Sequence, residues 1–444
     1  MASDVPARKQ RIASNLDGPT VVLFLLLAGL GWWNLVSAST GLDGAVEWSL
    51  STLHGKQALW LVASLVLGAL ILQVDGEFFI RTAWLNYAIQ IGLCAAVLVI
   101  GKKVGGARSW FGVGGFGIQP SEFAKLGTAM ALAWFLGTRD GWKDWPSRLR
   151  SLAIVGLPAG LILLQPDAGT VLVFLGFVFA LYREGMTGAV LIAGFAAIVM
   201  AVLTILTSAS TMDYPLLGER TGFTAFMVGF VLVGAVVIRI LRSATLPRYR
   251  ARTVRLAIGV MVAAVAYSTT LNVALEDVLR PHQKERIHVL FGLEVSNPDA
   301  DYNIRHAKTA IGSGGLAGKG WRQGPMTGYG FVPEQETDFI FCKWSEERGF
   351  LGSVTFLLLY AAFLLRIFFL GERQRSRFTR VYAYGLGGIL FMHLLINVGM
   401  VLGLVPVIGI PLPFMSYGGS SFMAFSLMVG VLLRLDAERF SVLR

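Results

Sequence analysis

The chain has 444 residues, of which 55% are hydrophobic and 15% are charged, and its formal net charge is +11. Such a small share of charged side chains cannot cover the surface of a soluble globular protein of this length, so the composition predicts an all-α polytopic membrane protein. The basic residues stand in short segments between apolar runs, a placement that orients membrane helices, and the positive charge therefore does not indicate a nucleic-acid partner.

Residues 1–18 are polar and basic and precede an apolar run, a pattern that resembles a secretory signal peptide. Because many apolar runs follow, we expect the first to remain as an uncleaved membrane helix. A hydrocarbon core about 30 Å thick needs about 20 apolar residues per helix. On this measure the sequence predicts twelve membrane helices, at residues 19–39, 57–74, 83–101, 122–137, 152–165, 169–182, 188–207, 222–241, 254–275, 350–371, 381–404 and 418–434.

These helices divide the chain into six parts. The parts are the tail 1–18, helices one to seven in 19–207, a helix pair in 208–275, a polar segment at 276–349, the last three helices in 350–434 and the tail 435–444. The fifth and sixth helices are short and are joined by the tight turn 165–169. We therefore expect these two to be tilted or partly buried in protein.

Arginines and lysines in the short loops predict the orientation of the chain. If the N-terminus is cytoplasmic, four basic clusters fall on the cytoplasmic side, in 138–151, 242–253, 372–380 and the C-terminal tail. The alternate loops are poor in positive charge. This solution places both termini in the cytoplasm and the segment 276–349 outside it.

The polar segment between the helices concentrates the residue types that catalysis uses. The stretch from Pro281 to Gly352 holds nine carboxylates and three of the five histidines. Ordering so long a loop costs entropy, which binding or catalysis would justify. The three histidines lack the spacing of a zinc site. The glycine cluster 311–320 fits neither a P-loop nor a dinucleotide-binding pattern, and we expect a glycine-kinked segment there rather than a phosphate cradle.

Several charged residues lie at or near predicted helix ends. Glu122 and Lys125 stand three residues apart at the start of the fourth helix and share a face, and Asp167 lies in the turn between helices five and six. Charges at such depth face a protein interior or a wet cavity. They form either a structural ion pair or the lining of a polar ligand cavity, and we favour the cavity. Arg108 is a cation in a predicted outer loop, which indicates either an anionic ligand or a plain solvated loop.

The segment 406–421, between the last two helices, contains three prolines and three glycines. A non-helical turn at membrane depth is tolerated only where it is buried in protein or lines a cavity. Composition and spacing therefore predict a membrane protein with an outward-facing polar cavity.

Nine sequence blocks, taken together, resemble the SEDS family (RodA, FtsW and SpoVE) of bacterial cell-wall glycosyltransferases. They occur in the family's order over most of the chain, and the Ile-Gly-Ser-Gly-Gly and Gly-Lys-Gly blocks are most similar to RodA members. The blocks are Gly106-Ala-Arg-Ser-Trp-Phe111, Gln119-Pro-Ser-Glu-Phe-Ala-Lys125, Gln165-Pro-Asp-Ala-Gly-Thr170, Ala310-Ile-Gly-Ser-Gly-Gly315, Gly318-Lys-Gly320, Val332-Pro-Glu-Gln335, Thr337-Asp-Phe-Ile-Phe341, Glu346-Glu347 and Pro411-Leu-Pro-Phe-Met-Ser-Tyr-Gly-Gly419.

The resemblance implies polymerisation of lipid II, a disaccharide-pentapeptide carried on undecaprenyl pyrophosphate, at the bacterial inner membrane during cell elongation and shape maintenance. It also implies a class B penicillin-binding protein as partner, which cross-links the new strand. An anionic pyrophosphate needs cations at the interface, for which Arg108, Lys125 and Lys319 are the candidates, or a divalent cation such as Mg²⁺ or Mn²⁺. The other residues expected to bind substrate are Trp110, Glu122, Asp167 and Ser416.

The resemblance further implies an aspartate general base, because a sugar hydroxyl is a poor nucleophile until a carboxylate accepts its proton. The family places this aspartate in a stretch like Asp-Pro-x-Gly-x-Gly-Tyr, whereas this chain reads Ser296-Asn-Pro-Asp-Ala-Asp-Tyr302. Alignment on the tyrosine puts Ser296 at the aspartate position, and alignment on the proline puts Asn297 there. Neither side chain can act as a base.

Three carboxylates near this stretch are alternatives. Asp299 is the first candidate for the catalytic base, Asp301 the second and Glu294 the third. Asp338, in the Thr-Asp-Phe block, is expected to be a structural hydrogen-bond acceptor instead.

Two rival functions stay open. The family usually shows ten membrane helices, so the helices at 222–241 and 254–275 look like an added pair, and twelve helices also suit a flippase or transporter of a lipid-linked precursor. The sequence, however, shows no internal repeat of the kind common in transporters. The shifted aspartate stretch leaves room for a catalytically silent scaffold of cell-wall synthesis.

Overall fold

The computed structural model of the protein describes residues 15–42, 45–104, 107–113, 116–138, 141–208, 211–214, 218–278 and 298–440. A 3₁₀ turn covers Phe174–Phe177, and a π-helical turn covers Ala274–Val278. The helices in chain order are α1 (Gly18–Ala38), α2 (Leu53–Ile71), α3 (Gly76–Arg81), α4 (Ala83–Ile100), α5 (Pro120–Thr138), α6 (Trp145–Leu164), α7 (Ala168–Val173), α8 (Val178–Arg183), α9 (Gly188–Ser208), α10 (Gly222–Ala244), α11 (Pro247–Val273), α12 (Pro298–Ser313), α13 (Pro325–Gly328), α14 (Ile340–Glu372), α15 (Arg377–Val401) and α16 (Gly419–Ala437).

Two small antiparallel sheets accompany the helices. The first has the order β1-β2-β3 and the second is the hairpin β4-β5. The strands are β1 (Lys102–Val104), β2 (Ala107–Val113), β3 (Phe116–Ile118), β4 (Thr211–Tyr214) and β5 (Gly218–Thr221). Phe111 of β2 pairs with Ile118 of β3, and α5 begins two residues later, so the first sheet leads directly into the start of that helix.

The chain forms two compact units. One consists of Met1–Met186 with Asn303–Arg444, and the other is Thr187–Tyr302. In the first unit α15 and α16 are the central helices, since 67% and 89% of their most apolar 18-residue stretches are buried. One buried polar group ties these two helices together: the Tyr382 hydroxyl of α15 donates to Met428 O of α16 at 2.9 Å. Such pairing is required where no water can replace it.

The second unit contains α9, α10 and α11 and the β4-β5 hairpin. In each of these three helices, no more than 6% of the most apolar 18-residue stretch is buried. Their exposed side chains are mainly Val, Leu and Ile, as in helices that face lipid.

Ten helices within the described residues are long and apolar enough to cross a membrane, so the polytopic all-α prediction is confirmed. The predicted number of twelve is not. The predicted helix at 122–137 is α5, which carries two charged residues in its first two turns. The predicted helix at 169–182 is broken by the 3₁₀ turn into α7 and α8.

Three predicted helix starts are wrong by seven residues or more, and one of them is that of the helix expected at 254–275, α11, which begins at Pro247. The fifth helix was expected at 152–165, but α6 begins at Trp145, because Asp144 accepts a hydrogen bond from Ser147 N at 3.3 Å and caps the helix. The helix expected at 350–371 is α14, which begins at Ile340 and continues past a kink at Gly349. The segment 276–349 is therefore partly helical, with α12 and α13 inside it.

Candidate active site

A buried charge cluster lies at the start of α5. Lys125 Nζ donates to Glu122 Oε1 at 2.9 Å, and both side chains are at least 98% buried. The same ammonium lies 2.9 Å from His393 Nε2 on α15 and 4.7 Å from the centre of the Phe425 ring on α16. The ion pair, the imidazole and the aromatic face together replace the hydration that Lys125 would have in water.

The hydrogen bond made by the other ring nitrogen, Nδ1, fixes the tautomer of His393. Nδ1 lies 3.0 Å from Pro411 O, and a carbonyl can only accept, so Nδ1 donates to it. Nε2 then carries a lone pair in the neutral imidazole and accepts from the Lys125 ammonium. His393 therefore joins the Glu122–Lys125 pair to the loop 402–418.

Asp167 lies next to this cluster. It caps α7, accepting from Thr170 N at 3.0 Å and from Thr170 Oγ1 at 2.8 Å, and it also accepts from Gln119 Nε2 at 3.0 Å. Burial raises the pKa of Asp167, the Thr170 bonds lower it, and the nearby charges of Glu122 and Lys125 act in opposite directions. Three residues that the sequence singled out, Glu122, Lys125 and Asp167, are thus brought together.

Asp338, at the foot of α14, belongs to the same group. Burial raises the pKa of its carboxyl group to about 7, and the charges of Glu334 and Asp167 add to the effect. Its main-chain carbonyl accepts from Asn397 Nδ2 at 2.9 Å. The side chain was expected to be a structural hydrogen-bond acceptor, and this expectation is wrong, because the half-buried carboxylate has no hydrogen-bond donor among the residues that the structure describes.

The loop 402–418 is shaped by side chains that bond to main chain. Asn397 Nδ2 also donates to Ile410 O at 2.7 Å. Ser416 Oγ accepts from Leu412 N at 2.8 Å and donates to Thr337 O at 2.5 Å. Ser416 thus holds the loop against the residue that precedes Asp338, and its hydroxyl is fully used by main-chain groups.

The first sheet carries two further predicted residues. Arg108 is exposed on β2, and the strand register pairs it with Lys103 on β1, so two cationic residues stand opposite each other. Trp110 is half-buried, with its ring over Gly117 of β3. Because β3 leads to Gln119, this sheet is connected directly to the residue that donates to Asp167.

Lys319 lies elsewhere in the first unit, exposed on the glycine cluster. The cluster is a set of turns whose main chain bonds to the kinked part of α14, and whether it re-enters the membrane, as the sequence also suggests, stays a prediction. Gly318 and Gly349 have φ of +85° and +65°, and a Cβ on Gly349 would lie 2.3 Å from Gly318 N. Only glycine allows this approach of two backbones.

Two carboxylates beneath the cluster are structural. Glu346 accepts from Met326 N at 2.8 Å and from Thr327 N at 2.9 Å, while Glu347 accepts from Arg322 N at 2.9 Å and pairs with Lys343 Nζ at 3.1 Å. Both carboxylates are buried and bonded to groups of the protein itself.

The predicted catalytic residues Asp299 and Asp301 lie in the first turn of α12. Their side chains fall outside the described part of the structure, as do Glu294, Ser296 and Asn297 entirely.

A family model described as cell cycle protein, FtsW/RodA/SpoVE, matches residues 19–216 and 251–440. The chain belongs to this family. The family that the nine sequence blocks predict is therefore confirmed.

The chain is 31% identical to the peptidoglycan glycosyltransferase RodA of Treponema pallidum, over 97% of this chain and 99% of that protein. It is similar to a chain in the solved structure of a peptidoglycan synthase complex that coordinates polymerization and crosslinking, with 27% identity and a TM-score of 0.66 over 96% of this chain and 99% of that one. The rod shape determining protein RodA of Thermus thermophilus matches with 26% identity and a TM-score of 0.59, over 96% and 98%.

Sequence reasoning missed His393. An ionisable residue in the middle of an apolar helix is itself a signal of function, and α15 contains one histidine between Phe391 and Asn397. Its partners lie on α5 and in the loop 402–418, and neither is close in sequence. The signal therefore marks the residue without identifying the contact.

Proposed function

We propose that the protein is a peptidoglycan glycosyltransferase of the RodA type, which polymerises lipid II into glycan strands. The observation that supports this most is the gathering of Glu122, Lys125, Asp167 and Asp338 within reach of each other's charge, in a family whose relatives carry this activity in their names. Membrane proteins keep such charges where they pair or serve a ligand. The half-buried carboxylates of Asp167 and Asp338 are the part of the cluster open to a ligand.

The reaction joins two sugars. A hydroxyl oxygen of one sugar attacks the anomeric carbon of the other, a C–O bond forms, and the bond from that carbon to the pyrophosphate oxygen breaks. The hydroxyl proton passes to a carboxylate, and undecaprenyl pyrophosphate leaves. We assign this base to Asp299, with Asp301 as the alternative, and such a base contributes about 10²–10⁴ in rate.

Cations stabilise the leaving pyrophosphate. Arg108 and Lys319 are exposed and suit this role, whereas the Lys125 ammonium is directed at Glu122 and His393. The role we assign to Lys125 is to position Glu122 and to offset the negative charge near Asp167. Trp110 lies on the same strand as Arg108 and offers an apolar face beside the cation.

A divalent cation fits the site at Asp167 and Asp338. These two residues would hold the cation: their carboxylates are half-buried, and the charge of Asp167 raises the pKa of Asp338, so bound positive charge would relieve the repulsion. Within the described residues no group of three or more His, Cys, Asp or Glu could hold a metal. Mg²⁺ commonly binds through one or two carboxylates, with water and phosphate oxygens completing its coordination, and it would supply charge neutralisation for the leaving group.

We further propose a class B penicillin-binding protein as the partner that cross-links the strand. A similar chain occurs in a complex that coordinates polymerization and crosslinking, which supports this pairing. The proposed location is the bacterial inner membrane, with both termini in the cytoplasm, as the basic clusters of the short loops favour.

The test is incubation of the purified protein and its transpeptidase partner with lipid II, with and without Mg²⁺, and separation of glycan products on a gel. We expect Asp299→Asn to abolish polymer, while Asp277→Asn, a matched change at an exposed aspartate just after α11, leaves it unchanged. Full activity in the Asp299 variant would reassign the base. If labelled lipid II crosses vesicle membranes without forming polymer, the protein is a flippase, and if neither occurs it is a scaffold.

A further inference from the structure

Six arginines flank the connection between α10 and α11. They are Arg239, Arg242, Arg248, Arg250, Arg252 and Arg255, and we call them the arginine turn. Five of the six side chains are exposed. The family model leaves out residues 217–250, so α10 and four of the six arginines lie outside the part of the chain that it matches.

No acidic residue within this stretch of sequence offsets its charge. The sequence of α10, the connection and α11 contains no aspartate, glutamate or lysine. The nearest acids, Glu219 and Glu276, precede α10 and follow α11. Since a two-residue connection makes the helices antiparallel, both acids fall at the opposite end. Glu219 lies beyond the 23 residues of α10, about 35 Å along the helix, and Glu276 beyond the 27 residues of α11, about 40 Å along it.

Several arginines elsewhere in this protein form ion pairs. Arg373 forms ion pairs with Asp17 and Asp436, and Arg380 Nη2 lies 2.9 Å from Glu184 Oε1. In contrast, no ion pair is found for any member of the arginine turn among the side chains that the structure describes. The buried Nε of Arg250 has no hydrogen-bond partner there either. Arg255 Nε donates to Ala251 O at 3.3 Å, and the other guanidinium groups are available to a ligand.

The position of the turn limits what that ligand can be. α10 is long enough to cross the hydrocarbon core, and its apolar side chains are exposed over the whole helix. The arginine turn follows the end of this apolar surface and so lies at the depth of lipid headgroups. Tyr249 is 49% exposed and lies under the Arg248 guanidinium at 4.7 Å, an arrangement common at membrane interfaces.

We propose that the arginine turn binds the phosphate of anionic phospholipids. A guanidinium donates two parallel hydrogen bonds to one phosphate, which an ammonium cannot do. Membrane orientation alone would be served equally by lysine, yet all six cations here are arginine. Clusters of four or more cations next to a membrane helix attract anionic headgroups. The proposal does not depend on the glycosyltransferase activity.

The experiment measures the apparent melting temperature of the full-length protein in a neutral detergent, during titration with phosphatidylglycerol, phosphatidylcholine or inorganic phosphate. We expect stabilisation by phosphatidylglycerol alone. Arg242→Gln/Arg248→Gln/Arg252→Gln should weaken the apparent affinity by about tenfold or more. The variant with lysine at the same three positions should lose only part of the apparent affinity, because the positive charge is kept and the bidentate hydrogen bonding is lost.

A matched variant, Lys143→Gln/Arg148→Gln/Arg150→Gln, removes three cations near the start of α6 and should bind like wild type. Equal weakening in this variant would overturn the proposal, because the effect would be one of total charge. Equal stabilisation by inorganic phosphate would overturn the assignment to a lipid. If phosphatidylglycerol does not act on the wild-type protein, the turn serves membrane orientation or an acidic protein, and the proposal is wrong.

Discussion

Lys125 Nζ lies 2.9 Å from His393 Nε2, and this contact joins the start of α5 to the middle of α15. The histidine in turn donates to Pro411 O at 3.0 Å, so the ion pair is connected to the loop 402–418. A Cβ on Gly409 in that loop would lie 3.1 Å from Asp338 Oδ2. The buried imidazole of His393 therefore links the Glu122–Lys125 pair to the loop that lies against Asp338.

Removing one member of the buried ion pair should be more damaging than removing both. Lys125→Met leaves the Glu122 carboxylate buried without its partner, which typically costs about 3–5 kcal/mol. Lys125→Met/Glu122→Gln removes both charges and should recover much of the loss. Thermal unfolding of the purified protein in detergent measures this. If the double variant is as unstable as Lys125→Met, packing rather than charge explains the cost.

The two hydrogen bonds of His393 can be separated by substitution. Glutamine places an oxygen near the position of Nε2 and keeps the acceptor for Lys125, whereas asparagine places an amide near Nδ1 and keeps the donor to Pro411. A lost bond to a charged group costs about 1.5–3 kcal/mol, or roughly tenfold or more in an equilibrium. We therefore expect His393→Gln to polymerise lipid II at least tenfold faster than His393→Asn.

The melting temperature of both histidine variants serves as the control, since each keeps one bond and loses the other. Polymerisation that falls equally in both, in proportion to stability, would mean that His393 only packs α15. In that case the orientation of the Lys125 ammonium has no influence on the reaction.

Local patterns were sufficient to predict most of the site but not its assembly. Glu122 and Lys125 are three residues apart on a helix, and Asp167 stands in a helix-joining turn, so their depth in the membrane could be inferred from spacing. The contact of Lys125 with His393 spans 268 positions, and it depends on how α5 packs against α15. Asp338 was misjudged for the same reason, because its carboxylate environment comes from other parts of the chain.

The predicted helix boundaries are wrong where capping and packing, rather than hydropathy, determine the end of the helix. α6 begins at Trp145 because Asp144 caps it, although the next residues are polar and basic. α14 continues through Gly349 because the kink is held by the backbone of the glycine cluster. Hydropathy detects neither effect, since both depend on main-chain hydrogen bonds and close contacts.

A close contact between α1 and the loop 402–418 gives a stability test. Phe414 has φ of +68°, and its carbonyl oxygen would lie 2.0 Å from a Cβ on Gly31. Gly31→Ala must displace backbone and should cost about 1–3 kcal/mol, as overpacking does. Gly29→Ala, in the same helix with nothing within 4 Å, should be neutral or slightly stabilising. Equal melting temperatures for the two variants would refute the contact.

Asp338 should make stability depend on pH. Its pKa is about 7 in the folded protein and ordinarily 3.8, so between these values the folded state binds more protons than the unfolded state. The free energy of unfolding therefore falls as pH rises from about 4 to about 7, and the penalty persists above pH 7. An asparagine side chain cannot ionise, so Asp338→Asn should gain stability over wild type above pH 7, by about 1 kcal/mol or more, and none below pH 4.

The measurement is the difference in melting temperature between Asp338→Asn and wild type at pH 4, 6 and 8, because the difference cancels the titration of the other carboxylates. Glu334→Gln is the matched control: it removes a charge that raises the pKa of Asp338 and should give a smaller gain at pH 8. If a divalent cation binds at Asp338, Mg²⁺ should raise the wild-type melting temperature at pH 8 and leave Asp338→Asn unchanged. A pH-independent difference between the variant and wild type would show that Asp338 does not titrate in this range.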